Sequence, residues 1–209
     1  MGKLYYYYGT MNSSKSANLL MKAHQFEESG AKCLLLKPRF DIRDEGVIAS
    51  RVGLSKEALL IGENDDIFEM VIDKCRENKY NYIFIDEVQF LSREQIKQIW
   101  DISRNKEHSV SVFCFGLRTD YLNKLFEAVA DLIVYADEIH ELKAMCRFCK
   151  SKATTHIRVV NNKVIKEGKS TIVGDVVGDE RYESVCQNCY SNADEIILNC
   201  TMSSGEYKK

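Results

Sequence analysis

The chain has 209 residues, 45% hydrophobic and 29% charged, with 29 Lys and Arg against 31 Asp and Glu for a formal net charge of -2. That length suits one medium α/β domain with a small appendage, and the charge balance supplies no basic footprint for nucleic acid or an anionic membrane. No apolar run approaches the roughly 20 residues of a membrane helix. The opening Met1–Tyr5 lacks the apolar stretch of a signal peptide, so a reducing, cytoplasmic compartment is expected.

Lys3–Tyr8 is predicted as a strand, with Leu4 and four tyrosines favouring extended backbone and Gly9 as its stop. Ser16 to about Ser29 is predicted as a helix carrying Leu19, Leu20, Ala23 and Phe26 on one face, closed by Gly30. Lys32–Lys37 is a short buried strand ended by Pro38, which completes a βαβ unit. Asp66–Arg76 is an amphipathic helix, and Tyr80–Asp86 a strand whose Ile83-Phe84-Ile85 suits the middle of a parallel sheet. Ser92-Arg93-Glu94-Gln95 is a capping box opening a helix with Ile96, Ile99 and Trp100 inward. Val110–Leu117 is predicted as a strand, Tyr121–Ala130 as a helix and Leu132–Tyr135 as a further strand. The alternation is that of a doubly wound α/β sheet over residues 1–143. A different texture follows over 144–195, with a hairpin at Ile157–Ile165 turning on Asn161-Asn162, and residues 196–209 are expected to be a frayed tail.

Gly9-Thr10-Met11-Asn12-Ser13-Ser14-Lys15-Ser16 fits the phosphate-loop pattern G-x-x-x-x-G-K-[ST] at every fixed position but Ser14, where glycine is expected. Such a loop aims consecutive backbone N–H groups and a helix N-terminus at one anion. Lys15 would reach the β/γ-phosphates and Ser16 would hold Mg²⁺. Serine at position 14 must avoid the left-handed region or tolerate it at about 1–2 kcal/mol. A phosphate loop needs a second acid at the end of a neighbouring strand, and Asp86 is so placed, with Glu87 next to it as a general base. Taken alone, Asp86-Glu87 could equally be a solvated strand end.

Of the eight cysteines, Cys33, Cys75 and Cys114 lie in apolar segments and are expected to be buried thiols. Cys146-Arg147-Phe148-Cys149 and Cys186-Gln187-Asn188-Cys189 form two C-x-x-C pairs, the spacing of a closed four-thiolate zinc site. Four free thiols or a redox dithiol are the alternatives. The histidines at 24, 108, 140 and 156 show no ligand spacing.

Together, Gly9–Ser16, Asp86-Glu87-Val88-Gln89-Phe90, Phe115–Asp120, the cysteine pairs and Glu180–Cys186 make the chain resemble, over nearly its whole length, the cytosolic, zinc-containing (type II) thymidine kinase family. The resemblance implies a RecA-like P-loop fold, with a mostly parallel sheet flanked by helices, and a small zinc-ribbon-like lobe bearing a substrate-covering lasso loop. It implies transfer of the ATP γ-phosphate to the 5′-hydroxyl of deoxythymidine, with deoxyuridine a second candidate acceptor. Glu87 matches the family's base and Asp86 its Mg²⁺-associated acid, while Val88 and Gln89 lie in the stretch beside the nucleotide. Met11, Phe90, Tyr121 and Phe126 match the walls of the thymine pocket; Asp41 and Arg43 match a loop near the phosphates. Val176, Val177, Gly178 and Tyr182 match the lid loop, which the zinc would anchor. A dTTP feedback inhibitor and a homotetramer are also implied.

Two departures from the family pattern stand out: Ser14 in the phosphate loop, and Val177 where a glycine pair is expected, leaving only Gly178. Two rival readings are a recombinase-type ATPase acting on nucleic acid, which lacks the basic stripe it would need, and an inactive nucleotide sensor, for which Ser14 is the only sign.

Overall fold

Alternate residues of the first strand, β1 (Leu4–Gly9), face opposite ways, and both faces are apolar: Leu4 and Tyr6 are fully buried, Tyr5 and Tyr7 half-buried. Such a strand needs cover on both sides, which a parallel sheet between helices provides. The structure is a computed structural model describing residues 2–39, 45–168 and 179–203, with side chains described through residue 198. Asp41, Arg43, Val176, Val177 and Gly178 lie outside the described residues.

The chain divides into two compact units. The first comprises Met1–Tyr8, Ser14–Arg118 and Leu125–Leu142, and the second Gly9–Ser13, Thr119–Lys124 and Lys143–Lys209. After β1 the first unit runs through α1 (Lys15–Glu28), β2 (Cys33–Pro38), β3 (Val47–Ala49), β4 (Ser55–Glu57), β5 (Leu59–Ile61), α2 (Ile67–Asn78) and β6 (Tyr82–Ile85). A single 3₁₀ turn at Val88–Phe90 leads to α3 (Arg93–Arg104), β7 (Ser111–Gly116), α4 (Glu127–Tyr135) and β8 (Glu138–Leu142). Six strands form one sheet in the order β5-β2-β6-β7-β1-β8, with β5, β2, β6, β7 and β1 mutually parallel. The expected doubly wound sheet is present. One face packs Leu4, Tyr6, Ile83, Ile85, Val112 and Cys114 with Val71, Ile96, Ile99 and Leu132 of α2, α3 and α4. On the other face Phe84, Phe113 and Phe115 pack against Leu19, Leu20 and Ala23 of α1. Each such fully buried aliphatic or aromatic side chain contributes about 1.5–3 kcal/mol.

The capping box is complete: Ser92 Oγ accepts from Gln95 N and the Gln95 side chain accepts from Ser92 N, both at 3.1 Å. Cys75 and Cys114 are buried as expected, and Cys33 is half-buried. Three short strands occupy 47–61, where the sequence analysis named none; runs of three residues are too short to show a period.

Two expectations are corrected near residue 121. The predicted helix Tyr121–Ala130 is a loop up to Phe126, and the predicted strand Leu132–Tyr135 is the second half of α4. The Asp120 carboxylate accepts from the backbone N–H of Leu122 and Lys124, and Asn123 adopts φ 61°, local bonding that competes with a helix. The helix then starts at Glu127, where Ala128, Val129 and Leu132 have a buried face to offer.

The second unit contains β9 (Ala144–Met145) paired with β10 (Lys152–Ala153), and a three-stranded antiparallel sheet. Its strands are β11 (Thr155–Val160), β12 (Lys163–Ile165) and β13 (Glu180–Val185), ordered β12-β11-β13. The hairpin expected at Ile157–Ile165 is present, and Asn161 and Asn162 take φ 48° and 58°, the two positive angles of a tight two-residue turn. α5 (Gln187–Ser191) and α6 (Ala193–Ser203) close the unit, with Ala193 and Ile197 in its core beside Val159 and Val185. The frayed tail expected from residue 196 is therefore helical as far as Ser203.

Candidate active site and metal centre

The loop from Gly9 to Ser16 leaves β1 and enters α1, the strand–loop–helix context that a phosphate loop requires. Ser14 caps the helix at φ 58°, ψ 32°, in the left-handed region a glycine would occupy without strain, and its side chain makes no cap bond. Asn12 is also left-handed, at φ 63°. Ser13 is 6% exposed, and its Oγ has no hydrogen-bond partner among the described residues. An unpaired buried hydroxyl is costly, and a phosphate oxygen would satisfy it.

In the first unit the expected acidic partners meet the helix start. Ser16 Oγ donates to Asp86 Oδ2 at 2.7 Å. Asp86 is 5% exposed at the end of β6; burial, then the Glu87 charge, raises its carboxyl to about 6. Burial likewise lowers the Lys15 ammonium below its ordinary value, against the opposing pull of Glu87 and Asp86. A cation binding Ser16 and Asp86 would reverse this balance and hold the carboxyl ionised.

Glu87 adopts φ 52°, ψ 37°, a further left-handed non-glycine position, worth about 1–3 kcal/mol of strain. Gln89 donates through Nε2 to Glu87 Oε2 at 2.6 Å and accepts through Oε1 from Leu117 N at 2.9 Å. Val88 is fully buried, and Phe90 meets Phe126 edge to face with centroids 6.0 Å apart. The first unit thus gathers Lys15, Ser16, Asp86, Glu87, Gln89, Phe90 and Phe126.

The second unit holds the other expected pocket residues around one face of its three-stranded sheet. Tyr121, 2% exposed, meets Tyr182 edge to face at 6.4 Å. The Arg158 guanidinium lies 5.6 Å from the Tyr121 ring centre and donates to Glu180 at 2.8 Å. Ser184 Oγ donates to the Met11 carbonyl. Sequence reasoning missed Arg158, gave Glu180 and Ser184 no role beyond their place in the Glu180–Cys186 stretch, and assigned none to His156, 3% exposed with its ring 6.1 Å from Tyr182. The β13 register could have pointed to them: Glu180, Tyr182 and Ser184 alternate onto the face that Arg158 and His156 share on β11.

The Sγ atoms of Cys146, Cys149, Cys186 and Cys189 lie within 4.8 Å of one another, a set that could hold a metal ion. The Cys149 and Cys186 sulfurs are 3.6 Å apart. That is far beyond the roughly 2.05 Å of a disulfide. It is near the roughly 3.8 Å edge of a tetrahedron with 2.3 Å zinc–sulfur bonds. Hydrogen bonding, first from Ser151, lowers the Cys149 thiol to about 6, while burial pushes the Cys189 thiol up. Among the described residues no helix is long and apolar enough to cross a membrane.

The family model for thymidine kinase matches residues 2–190. A thymidine kinase of Streptococcus agalactiae serotype Ia is 40% identical over 196 residues, 93% of this chain and all of the relative. One of Streptococcus pyogenes serotype M1 is 39% identical with the same coverage. A match that spans Gly9–Ser16, Asp86-Glu87 and both cysteine pairs places the chain in the thymidine kinase family.

Proposed function

We propose that the protein is a thymidine kinase, transferring the γ-phosphate of Mg-ATP to the 5′-hydroxyl of deoxythymidine to give dTMP. The observation that carries this is the grouping of Lys15, Ser16, Asp86 and Glu87 at one strand end and helix start, in a chain of this family. Gly9–Ser16 would hold the phosphates, with Lys15 neutralising charge on the transferred group. Ser16 and Asp86 would hold Mg²⁺, which when bound offsets charge on the β- and γ-phosphate oxygens. Glu87 takes the 5′-hydroxyl proton as that oxygen forms its bond to the γ-phosphorus, while the bond to the bridging oxygen breaks and ADP leaves with the electron pair. In the first unit, Phe90 and Phe126 are the side chains proposed to face the base.

The four clustered thiols support a structural zinc ion with no open position, and their unlinked state supports a reducing, cytoplasmic setting. dTTP, which shares the base and carries its own triphosphate, is the proposed feedback ligand, and a homotetramer the proposed assembly. The test is to incubate the chain with Mg-ATP and a panel of deoxynucleosides, alongside Glu87→Gln. Monophosphate from deoxythymidine, with a roughly 10²–10⁴-fold lower rate in the variant, is expected. ATP hydrolysis that requires nucleic acid and yields no nucleotide product would sink the kinase reading, and full turnover by the variant would remove Glu87 as the base.

A further inference from the structure

We infer that Gln89 is a positioning residue that aims the Glu87 carboxylate, rather than a nucleotide ligand, and that Gly116 is glycine to make room for it. The inference deepens the kinase reading and rests on Glu87 acting as the base. Both ends of the Gln89 amide are engaged, and chemistry fixes which way it faces. A backbone N–H can only donate and a carboxylate can only accept, so Oε1 must face Leu117 N and Nε2 must face Glu87. Gln89 is 3% exposed, so these two bonds account for a buried side chain that would otherwise be costly.

The far end of this link is rigid. Leu117, the residue after β7, has its N–H held by Gln89 and its carbonyl held by the hydroxyl of Tyr6 at 2.8 Å. Tyr6 is fully buried in β1, a neighbour of β7 in the sheet. The parallel sheet thereby reaches Glu87 through two side chains, Tyr6 and Gln89. Glu87 needs such support because its backbone is left-handed and strained.

Gly116 has no positive φ, so its backbone conformation does not require glycine. Space does: a Cβ there would lie 2.5 Å from Gln89 Oε1 and 2.9 Å from Val88 Cγ1. A methyl group at 116 would displace the amide.

The experiment uses the full chain with Gln89→Glu, Gln89→Ala, Gly116→Ala and the Gln89→Ala/Gly116→Ala double variant. It measures kcat and KM with deoxythymidine, and calorimetric affinity for a non-hydrolysable ATP analogue. Gln89→Glu keeps the acceptor for Leu117 N, and hence the fold, but sets a second carboxylate against Glu87. Its kcat should fall roughly 100-fold, as expected for a misplaced catalytic group, with analogue affinity within about twofold of wild type. Gly116→Ala should lower kcat about tenfold in the wild-type background and by a clearly smaller factor in the Gln89→Ala background, where only the Val88 contact remains to be relieved. A tenfold loss of analogue affinity with kcat unchanged would make Gln89 a nucleotide ligand and overturn the inference. Fully additive losses at 89 and 116 would also overturn it. A wild-type chain that binds the analogue but phosphorylates no deoxynucleoside defeats the kinase reading itself and this inference with it.

Discussion

Replacing Ser14 with glycine should stabilise the protein, although it removes a side chain. Ser14 sits at φ 58°, ψ 32°, where a residue with a Cβ pays about 1–2 kcal/mol. Glycine removes that strain but returns about 0.5–1 kcal/mol through the greater freedom of the unfolded chain. The lost hydroxyl should count for little, since Ser14 is exposed and makes no cap bond to α1. The net gain is about 0.5–1 kcal/mol, which for a chain of this size raises Tm by about 1–4 °C. Differential scanning calorimetry of the nucleotide-free protein measures it, with Ser14→Ala as the control. Alanine keeps the strain and lacks the hydroxyl, so it should stay within about 0.5 kcal/mol of wild type. A glycine variant melting at or below the wild-type temperature would refute the strain argument. An alanine variant destabilised by more than about 1 kcal/mol would show that the hydroxyl holds something after all.

Asp86→Asn should stabilise the nucleotide- and magnesium-free protein at neutral pH while abolishing activity. The folded chain holds the Asp86 proton more tightly (about 6) than an ordinary carboxyl at 3.8, so stability from this group is present at low pH and lost as pH rises through 6. The variant's advantage should be near zero below pH 4 and reach about 1–2 kcal/mol above pH 6.5, after allowing for one weakened bond to Ser16 Oγ or Glu87 N. Paired denaturant titrations across that range test it; an advantage that shrinks with rising pH would contradict the burial of the carboxylate. Stripping the metal with a chelator should speed amide hydrogen exchange in β9, β11, β13 and α5 by at least about tenfold and leave β6 and β7 protected. Unchanged exchange in the second unit would show that the four sulfurs carry no structural ion.

Much of the first unit was legible because its signals are local. Ile83-Phe84-Ile85 announces a strand covered on both faces, and the Ser92–Gln95 box fixes the start of α3 within the chain itself. The Tyr121–Tyr135 stretch misled because apolar spacing continues through a segment whose backbone is claimed by the Asp120 carboxylate, a bond that no periodicity registers. Site residues that act through backbone atoms or in a folded neighbour's space were equally invisible. The space a side chain at 116 would need is filled by Val88 and Gln89, distant in sequence, and Ser184 donates to a carbonyl in the loop after β1. The left-handed geometry of Glu87 had no residue signal either, since glutamate is a poor residue for that region.

The strand order also sets a timetable for synthesis. β1 is synthesised before both of its neighbours in the sheet, β7 and β8, so Leu4 waits for Val112. At about 5–20 residues per second that separation is an interval of roughly 5–20 s. Throughout it a leucine and four tyrosines in extended backbone have no strand to pair with, while β2 and β6 can already form their own ladder. The Gly9–Ser16 loop follows β1 directly in the chain. Nascent chains arrested before residue 112 should therefore bind holdase chaperones through their first ten residues and retain no nucleotide.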